Sequence, residues 1–237
     1  MEQEICDKAR QLERTAPMEV DLKEALRFAG VRHPDEAALN AAKQAAEQVK
    51  TYAVPRYICR IFALDRTANG VSLPGAGLTL PGSLAETMLS ECAKAVLLLC
   101  TLGAGFDRLL RTAQARDMTQ ALYIDACGSA FVEQGCDGAE REIAAKYPGL
   151  YLTDRFSPGY GDLPLSVQPA LLRALDGEKR LGVCAGPSYL LNPMKSVTAV
   201  IGLSDRPQRA RIRGCAFCAL REGCAYRERG MTCGTAT

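Results

Sequence analysis

The chain has no tryptophan, a single histidine (His33), and few aromatic residues, 6% in all. A metal site built from several histidines of one chain is therefore excluded. Net charge is nearly absent: 29 basic and 27 acidic side chains leave +2. Such a balance gives no general case for binding nucleic acid or a membrane surface. Long apolar runs are missing too. The longest, Ala95 to Phe106, is about 12 residues and is broken by Thr101, Gly103 and Gly105, whereas a membrane span needs about 20. The opening MEQEICDKAR is charged and lacks the apolar segment of a secretory signal. The expectation is a soluble, cytoplasmic chain with no nucleic-acid or membrane partner. No internal repeat and no low-complexity tract is visible.

What is present is ordinary globular material, 237 residues with 48% hydrophobic and 24% charged side chains. Chains of this size remove about 70–75% of their unfolded surface from water, so folding needs no staples. Yet there are eleven cysteines, an odd number. In a reducing compartment these are buried thiols or metal ligands more often than disulfides. Cys6, Cys59, Cys92, Cys100, Cys127, Cys136 and Cys184 stand in apolar or helical stretches and read as small core residues.

Residues 1–30 read as helical, ended by Gly30, and a second helix follows His33-Pro34 with Asp35 near its cap and Pro55 as its stop. Tyr57 to Leu64 alternates as a strand does, Asn69-Gly70 marks a turn, and VSLPGAGLTL continues the β region with Pro74-Gly75 as a further turn signal in it. Ser83 is expected to cap a helix from Leu84 to Ala93. KAVLLLCT, Lys94 to Thr101, reads as a buried strand. Helices are expected from Phe106 to Ala115, from Met118 to Tyr147 and from Ser166 to Leu175. Leu181 to Ala185 and Ser196 to Leu203 complete the strands. Helices and strands mix without strict alternation, so the fold class is α+β. Three regions are expected: a helical 1–54, an α+β core at 55–205, and an Arg- and Cys-rich appendage at 206–237.

Arg155-Phe156-Ser157-Pro158-Gly159-Tyr160-Gly161-Asp162 carries the strongest signal. Its glycines allow close approach to the backbone. Pro158 and Pro164 reduce the ordering cost of binding. Arg155 offers a planar fork for a carboxylate, and Tyr160 a π-face for an aromatic ring or a cation. Together they suit a zwitterion with a carboxylate and an aromatic or sulfonium part. The same residues equally suit a tight structural turn whose arginine makes an ion pair.

The stretch from Arg155 to Asp205 resembles the activation domain of vitamin-B12-dependent (cobalamin-dependent) methionine synthase. The resemblance lies in the loop Arg155 to Tyr160, the helix end Leu171 to Lys179, the turn Ser188 to Pro193 and the strand Ser196 to Ile201, in that order. It implies an α+β core with helices around a mainly antiparallel sheet, and binding of S-adenosylmethionine. It also implies a role in methionine biosynthesis, where an external electron donor reduces inactive cob(II)alamin and S-adenosylmethionine methylates the cob(I)alamin formed. By resemblance, Arg155 holds the ligand carboxylate, while Ser157, Pro158, Gly159 and Tyr160 contact the rest. Asp125, Ser129 and Glu133 are candidates for ligand contacts from the preceding long helix. No cobalamin-binding D-x-H-x-x-G exists here, because Pro34 follows His33 and no glycine stands at the required spacing. The cobalamin is therefore expected on a separate methionine synthase module, with flavodoxin or ferredoxin as donor.

The final 32 residues have no counterpart in that family. After Asp205, seven arginines face Asp205, Glu222 and Glu228. Among them stand Cys215, Cys218, Cys224 and Cys233, four thiols able to hold zinc or an iron–sulfur cluster. Free thiols or a redox pair are the alternative, and the arginines suit an acidic partner or a solvated tail. The expected function is a stand-alone, S-adenosylmethionine-binding reactivation subunit of a methyltransferase. Its rivals are a redox module centred on the cysteine cluster and a docking subunit without a small ligand.

Overall fold

The computed structural model describes residues 19–209, Ile212 and Glu222. Cys6 and the cluster Cys215, Cys218, Cys224 and Cys233 lie outside the described residues.

The centre of the molecule is KAVLLLCT. It forms β5 (Lys94–Thr101), buried on both faces from Ala95 onward. A strand with no polar face belongs in the middle of a sheet. It lies between β1 (Arg56–Ala63) and β9 (Ser196–Ser204), antiparallel to both, with Leu98 opposite Cys59 on one side and Ala199 on the other. A short β6 (Tyr151–Leu152) pairs with the end of β9, giving the order β1-β5-β9-β6. The architecture is α+β with an antiparallel sheet, as the sequence predicts.

Period-2 alternation sorts the sheet's side chains onto two cores. Val96, Leu98 and Cys100 face a helical layer; Leu97 and Leu99 face the other side. The helical layer holds α1 (Leu22–Phe28), α2 (Glu36–Tyr52), α4 (Ala104–Gln114) and the long α5 (Met118–Lys146). Asp21, Asp35 and Asp117 cap three of them by accepting backbone N–H bonds. The opposite face is covered by shorter pieces. A three-stranded sheet of β2 (Asp65–Thr67), β3 (Gly70–Leu73) and β4 (Leu78–Leu80) is joined there by α3 (Ser83–Met88), α6 (Gln168–Leu175) and α7 (Gly177–Leu181). A hairpin of β7 (Cys184–Ala185) and β8 (Leu191–Asn192) follows.

The Pro74-Gly75 turn signal in VSLPGAGLTL is borne out: a 3-10 turn at Pro74–Ala76 folds the segment into a hairpin. Several other elements differ from expectation. Ser83 does not cap α3. The N-cap is Gly82, and the cap comes from Asp162, whose carboxylate accepts from the N–H groups of Ser83 and Leu84. Gly82 sits at φ 95, and a Cβ there would lie 2.6 Å from that carboxylate. Helix α3 also ends at Met88 instead of Ala93. Leu181 belongs to α7, and only Cys184–Ala185 of its predicted strand is extended. Of the cysteines expected in the core, Cys92, Cys100, Cys127 and Cys136 are buried, whereas Cys59 and Cys184 are half-buried. Burial pushes the Cys127 thiol up to about 12, which makes it an inert core group.

Candidate functional site

The RFSPGYGD loop leaves the sheet edge beside β9. Phe156 exchanges both backbone bonds with Val200, at 3.0 and 2.8 Å, and its ring is fully buried among the shorter elements. Alternation then sends the preceding side chain, Arg155, the other way, onto α5. There its guanidinium meets Glu133 at 2.5 Å, Asp137 at 2.6 Å and Glu140 at 2.7 Å. Those acids are spaced i, i+4 and i+7, one stripe of the helix. The Arg155 side chain is 10% exposed. Burial opposes its charge, but the carboxylates of Glu140, Glu133 and Asp137 outweigh that and hold its pKa above the ordinary value. The Cys136 thiol is pushed well up, by its hydrogen bond with Cys100 and by burial.

Beyond Phe156 the chain makes two tight turns. Tyr160 N–H bonds to Ser157 O at 3.0 Å around Pro158-Gly159, with Gly159 at φ 95, the backbone of a type II turn. Leu163 N–H bonds to Tyr160 O at 3.0 Å in the next. Asp162 then anchors the loop to α3, and its acceptor role holds its carboxyl below the usual range: the N–H of Leu84 contributes most, then the Ser83 hydroxyl and N–H. The Tyr160 ring is left 54% exposed.

A cleft of about 340 Å³ opens between this loop, α5, α6 and the edge of β9. That is the low end of small-molecule sites, roughly 300–1,000 Å³. Arg155, Ser157, Pro158 and Tyr160 line it, together with Glu133. Gly159 does not line it; its N–H is engaged by Leu163 O within the loop. Asp125 and Ser129 are drawn elsewhere: both bind Lys195, at 2.9 and 2.8 Å. Both sequence alternatives for Arg155 therefore meet in one place. It forms ion pairs, and it lines a cleft.

Sequence reasoning missed Asp137 and Glu140, whose spacing from Glu133 was the available signal. It also missed Gln168, Ser196 and Thr198 as cleft residues. Gln168 sat inside an apolar helix and Thr198 inside a strand, and neither pattern marks a ligand site. Ile212, three residues before Cys215, lines the cleft as well, its N–H bonded to Asp154 at 3.0 Å. Among the described residues, no cluster of metal-ligating side chains forms and no helix is long and apolar enough to cross a membrane.

No family model matches the chain, and no curated protein matches it in sequence. Its fold is similar to the crystal structure of the MetH reactivation domain bound to AdoHcy, with a TM-score of 0.58. That likeness spans 97% of this chain and 88% of that one at 13% identity. The chain has the fold of a methionine synthase reactivation domain.

Proposed function

We propose that this chain binds S-adenosylmethionine in the cleft beside Arg155 and serves as a stand-alone reactivation subunit for a corrinoid-dependent methionine synthase. The observation that carries this reading is a coincidence of place. The Arg155–Tyr160 loop, which suits a zwitterion, borders a ligand-sized cleft, in a fold similar to a reactivation domain bound to AdoHcy.

Charge supports the ligand class. Three carboxylates meet the Arg155 guanidinium, so acids and a cation stand side by side at the cleft. S-adenosylmethionine has an ammonium and a sulfonium against one carboxylate, and is a net cation. Its carboxylate takes Arg155 in the bidentate way guanidinium favours. Glu133, in the cleft and half-exposed, releases Arg155 and receives the ammonium. Tyr160 offers its ring to the sulfonium. The partner is a separate protein that carries cobalamin, reduced to cob(I)alamin by a donor of the flavodoxin or ferredoxin kind. The cobalt then takes the methyl group, the S–CH3 bonding pair stays on sulfur, and S-adenosylhomocysteine is left in the cleft. The chain positions the methyl donor, and we assign it no general acid or base.

Calorimetric titration with S-adenosylmethionine tests this. Saturable binding is expected, weakened about tenfold in Tyr160→Ala through loss of a desolvated cation–π contact. Tyr160 is exposed, so that variant keeps the fold. No binding by the folded, wild-type chain would sink the reading. A second assignment rests on the sequence, in which four closely spaced cysteines follow Ile212, a cleft residue. We assign Cys215, Cys218, Cys224 and Cys233 to a zinc or iron–sulfur site. Metal analysis of anaerobically purified protein should find metal that is lost in Cys218→Ser.

A further inference from the structure

Gln168 is the first residue of α6 and is only 6% exposed. Its carbonyl oxygen accepts a bond from the Thr198 hydroxyl at 2.5 Å, and Thr198 itself is 2% exposed. That bond fixes the amide's orientation. The Nε2 donors on its other side have no partner among the described residues, and Nε2 is not sealed from solvent. Gln168 is one of the residues that line the cleft. A donor held in a fixed orientation, with no partner among the described residues and open to solvent, is available to an acceptor on a ligand.

The strand beside it has the same character. In an antiparallel ladder, alternate residues aim both backbone groups at the same neighbour. Val200 aims both at Phe156, and Gly202 aims both at Thr153. Thr198, two residues before Val200, therefore aims its N–H and C=O at that same edge, where β6 has already ended. Thr198 lines the cleft together with Gln168, and the apolar Pro158, Leu191 and Ile212 line it as well.

We propose that Gln168 is a specificity-determining residue that, with the free edge of β9 at Thr198, selects adenine as the base of the ligand. This rests on the S-adenosylmethionine reading above and names how that site chooses its nucleoside. The adjacent C=O and N–H of Thr198 complement an amino group beside an unprotonated ring nitrogen. Gln168 Nε2 donates to a second ring nitrogen. Hypoxanthine has an oxo group and a protonated nitrogen in place of the first two, so both backbone contacts become repulsive. Unpaired polar groups in such a site give strong discrimination.

The test uses calorimetry with S-adenosylhomocysteine, S-inosylhomocysteine and free adenosine on the full chain. Wild type should bind the adenosyl compound at least about thirtyfold more tightly than the inosyl one. Gln168→Glu keeps the acceptor for Thr198 and turns the donor into an acceptor. It should weaken adenosine and S-adenosylhomocysteine binding about tenfold or more, with an unchanged circular dichroism spectrum. Gln168→Met, a neutral variant of similar size, should weaken both by a smaller factor and guards against a charge effect. Equal binding of the adenosyl and inosyl compounds, or unchanged adenosine affinity in both variants, would overturn the proposal. Failure of the parent reading looks different: adenosine would bind and respond to Gln168, but S-adenosylmethionine would bind no better than adenosine.

Discussion

Helix α5 carries two cation contacts on one stripe, and they differ in balance. In its N-terminal half, Lys195, the residue before β9, meets Asp125 and the Ser129 hydroxyl. Two turns further on, Arg155 meets Glu133, Asp137 and Glu140. The first contact closes its charge: one ammonium, one carboxylate and a neutral hydroxyl. The second gathers three carboxylates around one guanidinium. Both cations are well buried, with 13% and 10% of their side chains exposed, so burial alone does not distinguish them. Position does. The Lys195 contact ties β9 to α5, while the Arg155 contact borders the cleft. A balanced pair has nothing left to offer a ligand. An unbalanced one holds a cation ready for a carboxylate and acids ready for a positive group.

Removing each cation should expose that difference. Arg155→Met leaves three carboxylates facing one another. The loss should be about 2–4 kcal/mol, below the top of the range for a broken buried pair because Glu133 and Asp137 stay half open to water. Urea denaturation would measure it, and binding of S-adenosylmethionine should vanish in the same variant. Adding Glu140→Gln to Arg155→Met removes the most enclosed of the three acids, 18% exposed, and should recover about 1 kcal/mol without restoring binding. If the double variant were no more stable than the single one, the repulsion argument would fail. Lys195→Met leaves only Asp125, itself 44% exposed, so the cost should be about 1 kcal/mol. S-adenosylmethionine affinity should stay within about a factor of two of wild type, because Lys195 does not line the cleft. A tenfold loss there would erase the distinction between the two contacts.

Much of this arrangement was legible in the sequence. The apolar run Lys94 to Thr101 announced a strand buried on both faces, and the long helix and the SPGYG turn stand where their residue types put them. Those signals are local. The sequence did not reveal partnerships formed across the chain. Asp162 caps a helix 79 residues earlier, a role no local spacing encodes, so Ser83 was credited with the cap. Gln168 is an unremarkable helix residue until Thr198 fixes its amide. Glu133 could be suspected from its helix, but its pairing with Arg155, 22 residues on, depends on how the loop crosses the sheet edge.

The smallest effect should come from Asp162, which holds the same loop by its other end. Its bonds to Ser83 and Leu84 lie at the surface, so Asp162→Asn should lower the thermal midpoint only slightly. The sign of its pH dependence is fixed. Those bonds, the Leu84 N–H first, favour the carboxylate, so the carboxyl titrates lower in the folded chain than in the unfolded one. Its contribution is complete above the ordinary carboxylate range and fades as pH falls through the folded value. The gap between wild type and Asp162→Asn should therefore be constant from about pH 8 to 6 and close below about pH 4. A gap that widened on acidification would mean that the variant had disturbed something other than this cap. Ligand affinity sharpens the point. If loop placement depends on both anchors, Asp162→Asn should weaken S-adenosylmethionine binding severalfold at neutral pH despite its small effect on stability, whereas Lys195→Met should do the reverse.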